Sequence, residues 1–158
     1  MKRRPENYVT LEFLSRSSNE GFARLAAAAF AAQLDPTLDE LGDIKTAVSE
    51  AVTNAIVHGY RNQEGMVSLC AEYGERRLLT VSVHDDGCGI EDVPAAMQPF
   101  YSTGDGTERS GMGFCVMQTF MDAVEVESAV GQGTTVTMRK YITGEVGLHR
   151  ERMLDEIG

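Results

Sequence analysis

The sequence predicts an α/β (α+β) sandwich in which helices cover one face of a mixed, mostly antiparallel sheet. Two observations carry this. The hydrophobic patterns run in the order β-α-α-β-β-loop-α-β-β. The two central strands are joined by a turn too short for anything but an antiparallel pair. That order argues against a doubly wound parallel sheet, whose strands would alternate with helices throughout.

Each element follows from a local pattern. Val9, Leu11 and Phe13 alternate with polar residues, as in a half-buried strand. Ser17-Ser18-Asn19-Glu20 offers a helix cap, and an alanine-rich helix follows over residues 20–34, with Phe22, Leu25, Ala29 and Phe30 near one face. Asp35-Pro36 stops it. A second helix is predicted over residues 38–58, where Leu41, Ile44, Val48, Val52 and Ala55 recur at three- and four-residue steps, and Gly59 ends it. Strands are predicted over 65–73 and 76–85 around a short glycine-containing turn. A glycine-rich loop starts at Asp86, and residues 94–106 have weak periodicity and read as a mobile segment. A third helix is expected over 111–121, capped by Ser110, and two strands over 123–128 and 134–141 flank Gly131-Gln132-Gly133. One domain is expected over residues 1–142, with a C-terminal tail over 143–158.

Composition excludes several classes. Fourteen Lys and Arg stand against 24 Asp and Glu, a net charge of −10. A surface built to neutralise nucleic-acid phosphates would be basic, so direct DNA or RNA binding is not expected. No apolar run reaches the roughly 18–20 residues that span a bilayer, and no apolar stretch follows the basic start Met1-Lys2-Arg3-Arg4, so neither membrane anchoring nor a signal peptide is expected. Cys70, Cys88 and Cys115 lack metal-ligand spacing and read as small buried residues in a reducing cytoplasm.

Three segments carry possible chemistry. Leu79, Val81, Val83 and Asp85 share one strand face, so the Asp85 carboxylate lies in line with the core row. Such a group either ends the strand in an Asp-Gly turn or, if buried, needs a donor such as an adenine amino group. Gly87 and Gly89 suit a tight turn or a floor beneath a planar base; both readings hold together. Glu50 and Asn54, four residues apart, share a helix face roughly opposite the core stripe. They are either solvated or covered; under cover, an Asn oxygen suits Mg²⁺ with phosphates, and a Glu suits a general base. Arg109-Ser110-Gly111-Met112-Gly113 precedes a helix, where free N–H groups favour an anion. Neither a Walker loop nor a dinucleotide fingerprint is present. Thr134, after Gly133, is either a strand-forming residue or a hydroxyl near Asp85.

Together, E-A-V-T-N-A-I-V-H-G-Y (50–60), D-D-G-C-G-I (85–90), R-S-G-M-G-F (109–114) and G-T-T (133–135) resemble the Bergerat (GHKL) ATPases, which include gyrase-, Hsp90- and MutL-type proteins and histidine kinases. Over about residues 7–141 the chain is similar to the stand-alone anti-sigma serine kinases of that class, including F-A-R (22–24) and A-Q-L-D-P-T-L-D-E-L (32–41). The resemblance implies a Bergerat ATP-binding fold using ATP and Mg²⁺. It implies that Asn54 holds the metal, Glu50 is the catalytic base and Asp85 binds adenine, with Gly87, Gly89 and Thr134 beside it. Arg109, Gly111 and Gly113 fall in the phosphate-binding lid and helix start. The lid, about residues 99–110, lacks the mid-loop basic residue that relatives often carry.

Arg24 matches an arginine used for partner docking. The implied protein is a cytoplasmic homodimer that sequesters a sporulation sigma factor and phosphorylates a serine of an anti-anti-sigma factor. A stress-response anti-sigma kinase and a non-catalytic ATP-dependent binding module are the alternatives. A sensor histidine kinase and a clamp-type ATPase are less expected, because no phospho-accepting helical hairpin precedes the motifs and no transducer domain follows Tyr141.

Overall fold

The computed structural model describes residues 4–98 and 113–144. Strand β1 is Asn7–Leu14, followed by helices α1 (Ser18–Ala31) and α2 (Leu38–Thr53). Strands β2 (Met66–Gly74) and β3 (Leu78–Asp85), the short helix α3 (Val93–Ala96) and helix α4 (Gly113–Phe120) come next. Strands β4 (Ala123–Ala129) and β5 (Gly133–Tyr141) complete the order. The sheet runs β1-β2-β3-β5-β4, and every one of its pairings is antiparallel. The two helices between β1 and β2 return the chain so that β2 pairs with β1 antiparallel. The connection through α4 does bring β4 back parallel to β3, but β5 lies between them. The parallel component expected of a mixed sheet is therefore one of direction, and among the described residues no parallel pair forms.

The helices lie on one face, as the alternation in β3 requires. Leu79, Val81, Val83 and Asp85 are buried beneath them, while Leu78, Thr80, Ser82 and His84 on the opposite face are half-buried. Helix α2 is the central helix. Its predicted stripe buries Ile44, Val48 and Val52 completely, with Leu41 only partly covered. Thr37 caps its start and forms a reciprocal capping box with Glu40.

The expectation for α1 needs correction. Phe22 and Leu25 are 59% and 58% exposed, and Ala29 is exposed too. The buried side consists of Ala23, Ala27, Ala28, Phe30 and Ala31. Small side chains let two helices approach closely, so alanines form the seam and the larger residues face outward. Helix α1 also ends sooner than predicted, at Ala31. A 3₁₀ turn over Ala32–Leu34 follows, and Asp35 sits in the left-handed region (φ 49°) just before Pro36. Helix α3, capped by Asp92, lies where no periodicity was visible, because a single turn is too short to show one.

The last described residues are clasped to the start of α2. Ile142 is buried, and its carbonyl accepts from Arg77 Nε at 2.9 Å. Glu40 accepts from the N–H groups of Thr143 (2.8 Å) and Gly144 (2.9 Å) as well as Thr37 (3.0 Å). Burial alone would raise the Glu40 carboxyl, but these donors outweigh it and hold the group below the usual glutamate range. Stabilisation of this kind is present above the ordinary carboxylate pKa and is lost as the pH falls through the depressed value. Glu40→Gln is accordingly expected to melt below the wild type at neutral pH, with the gap closing on acidification; thermal melts across the acid range check this. The remainder of the expected tail, residues 145–158, lies outside the described residues.

Candidate functional site

Asp85 ends β3 on the core-facing row and is only 4% exposed. Its Oδ1 accepts from the Gly87 N–H at 2.9 Å, and the main chain of its cross-strand partner Thr134 supplies a second hydrogen bond. Burial nevertheless pushes its carboxyl above the usual aspartate range; Asp86 adds to the rise, while the hydrogen bonds and His84 oppose it. A buried carboxylate in this state gains from a further donor.

Glycines make the setting of Asp85 possible. A Cβ on Gly59 would stand 2.6 Å from Asp85 Oδ1, and one on Gly133 would stand 1.9 Å from the Asp85 carbonyl oxygen. The space vacated at Gly87 is taken by the Gly59 carbonyl (2.1 Å from a Cβ), and that at Gly89, where φ is +75°, by the Ala129 carbonyl (2.1 Å). Gly87 and Gly89 thus let backbone meet backbone around Asp85, which is the tight-turn reading of these residues. The hydroxyl of Thr134 is engaged with Ser128 Oγ at 2.8 Å, and Ser128 Oγ also accepts from the Ile90 N–H at 2.7 Å. Thr134 therefore ties β5 to the loop after Asp85 while its main chain holds the carboxylate.

The predicted second helix does not continue unchanged to His58. From Asn54 to Gly59 it widens into a π turn, a feature common at functional sites. Glu50 lies in the last α-helical turn and Asn54 opens the wide one, and both are half-buried. They converge on the start of α4. A Cβ on Gly113 would lie 3.2 Å from both side-chain polar atoms of Asn54 and 3.3 Å from Glu50 Oε2. The structure thus brings Glu50, Asn54 and Gly113 together, and Asp85, Gly87, Gly89 and Thr134 together. The turn after α2 joins the groups, since the Cys88 N–H donates to the Gly59 carbonyl at 2.9 Å. Arg109, Gly111 and the lid over 99–110 lie outside the described residues.

Arg24 stands apart, on α1. Its guanidinium pairs with Glu20 at 3.5 Å, and Glu20 accepts from the Ser49 hydroxyl of α2. Sequence reasoning missed Gly59, read only as a helix stop, and Ser128. The Gly59–Asp85 approach joins residues distant in sequence, so no local pattern reports it. Among the described residues no helix is long and apolar enough to cross a membrane.

Residues 15–140 match the family described as histidine kinase-like ATPase domain. The fold resembles the RsbU and RsbW domains of a Mycobacterium tuberculosis protein (TM-score 0.64, 19% identity), covering 89% of this chain and 33% of that one. It also resembles full-length ShkA in complex with AMPPNP (TM-score 0.54, 22% identity), covering 82% of this chain and 31% of that one. The fold and the match define a histidine kinase-like ATPase domain. An anti-sigma F factor of Thermoanaerobacter sp. (strain X514) is 58% identical over 136 residues, 86% of this chain and 94% of the relative. The anti-sigma F factor of Clostridium acetobutylicum is 55% identical over 135 residues, 85% and 94% of the two chains. The chain belongs to the anti-sigma F factor family.

Proposed function

We propose that this chain is an ATP-dependent serine kinase that sequesters a sporulation sigma factor and phosphorylates, and so inactivates, an anti-anti-sigma factor. The observation that carries the reading is the pairing of a buried, donor-seeking carboxylate at Asp85 with a second pole where Glu50 and Asn54 meet the glycine start of α4. ATP has a group suited to each pole. Asp85 accepts from the adenine 6-amino group, with Gly87, Gly89 and Thr134 fixing its position. Asn54 and Gly113 face the phosphates, joined by Arg109 from the lid and Gly111 from the glycine run that leads into α4.

The residues also fit Mg²⁺. The Asn54 side-chain oxygen and a Glu50 carboxylate oxygen both face the glycine start of α4, so Asn54 would hold the ion by its amide oxygen, with phosphate and water completing the set. When bound, Mg²⁺ offsets charge on the transferring phosphoryl group. Glu50 takes the proton of the partner's serine hydroxyl as that oxygen bonds to the γ-phosphorus. The bond to the bridging oxygen breaks, and ADP leaves with the electron pair.

Partner binding is assigned to α1. Helix α1 carries Arg24, paired with Glu20, and on a different side of the same helix the exposed Phe22 and Leu25; exposed apolar residues of this kind suit a protein contact. The working form is a cytoplasmic homodimer. The kinase reading is tested by incubating the chain with Mg²⁺, ATP and its cognate anti-anti-sigma protein and assaying phosphoserine. Transfer to one serine is expected; no transfer between folded partners removes the kinase half.

A further inference from the structure

A second hydrogen-bond network, reaching from Tyr60 at the end of the wide helical turn to His84 on the sheet face opposite the buried row, holds the residue after Asp85. The Asp86 N–H donates to the Tyr60 hydroxyl at 2.8 Å, and that hydroxyl donates to the Met66 carbonyl. The Tyr60 ring lies against Gly65, where a Cβ would stand 2.3 Å from it. The Asp86 side chain is held separately, by His84 Nε2 at 2.8 Å, and His84 Nδ1 meets Thr135 Oγ1 at 2.7 Å. An ionised Asp86 only accepts, so Nε2 carries a proton and, in the neutral ring, Nδ1 accepts from the Thr135 hydroxyl. Asp86 is thus gripped by main chain and side chain, although its side chain is 75% exposed.

We propose that Tyr60 and His84 are positioning residues that set the base selectivity of Asp85 by clamping Asp86. This rests on the reading of Asp85 as the adenine acceptor. Gly87 follows Asp86 directly, and the Gly87 N–H occupies Asp85 Oδ1. Where Asp86 sits decides where that N–H points, and hence which carboxylate oxygen stays free for a base. Neither clamp residue belongs to the hydrophobic core beneath the helices, although Tyr60 packs against its rim. Removing the hydroxyl of Tyr60 or the ring of His84 therefore loosens the Asp85–Gly87 turn while the core keeps its packing.

Adenine and unsubstituted purine distinguish positioning from general support. ATP carries a 6-amino donor, whereas purine riboside triphosphate carries only C–H at that position and no N1–H, and so offers an ionised Asp85 no donor. The test is calorimetric titration of the full chain, Tyr60→Phe and His84→Ala with each nucleotide. The wild type is expected to favour ATP. In both variants the ratio of the two affinities should shrink about three- to tenfold, the size of one neutral hydrogen bond, chiefly through weaker ATP binding. A lowered melting temperature with the wild-type ratio intact would overturn the inference, and a retained ratio in one variant alone would remove that residue from the clamp. Equal affinity of the wild type for both nucleotides would instead refute the adenine reading of Asp85 itself, and the clamp with it.

Discussion

Asp85→Asn weakens ATP binding by roughly ten- to a hundredfold, the worth of a hydrogen bond to a charged group, without lowering the melting temperature. The argument begins with burial. The carboxylate is nearly inaccessible, and desolvation raises its pKa. An amide of the same shape keeps the clearance from Gly59 and can still accept from the Gly87 N–H through its oxygen. Its NH₂ then replaces the second carboxylate oxygen, so that a donor meets the adenine donor. Removing a buried charge relieves a cost in the free protein, so stability is expected to hold or rise while affinity falls. The wild type should also lose ATP affinity as the pH drops through the raised pKa of Asp85, at higher pH than an ordinary aspartate would titrate. The variant should be flat over that range. Titrations at several pH values together with thermal melts check both statements.

Glu50→Gln is expected to lower phosphoryl transfer by about two to four orders of magnitude, the usual contribution of a general base, with ATP affinity retained. Glutamine preserves the half-buried shape that meets Gly113 but cannot take a proton from a serine hydroxyl. Single-turnover assays with pre-bound ATP separate this loss from binding. If ATP only shaped a docking surface, the substitution would leave partner behaviour unchanged, so the same variant distinguishes a kinase from a non-catalytic module.

The features legible in the sequence are those with a short period and a clear contrast. Strand β3 alternates strictly, so the face of Asp85 followed from counting. The α2 stripe was equally plain, since Ile44, Val48 and Val52 stand against polar neighbours. Helix α1 defeated the same reasoning because apolar residues surround it. Hydrophobicity alone cannot tell an alanine seam from a Phe22–Leu25 surface, and the choice was made by how closely α1 approaches α2. The π turn at Asn54 leaves no mark in a helical pattern, since it closes the helix and no further helical residues follow to reveal a shift of phase. Gly59 and Tyr60 escaped notice as supports of Asp85 because their partners, Asp85 and Asp86, come from another strand; chain order says nothing about that contact.

The most direct test is a crystal structure of the chain with Mg²⁺ and a non-hydrolysable ATP analogue. The expected result places the adenine amino group at the Asp85 carboxylate and the metal-bound phosphates between Asn54 and Gly113, within reach of Glu50. Nucleotide lodged anywhere else on the chain, or a base that leaves Asp85 untouched, would contradict the account.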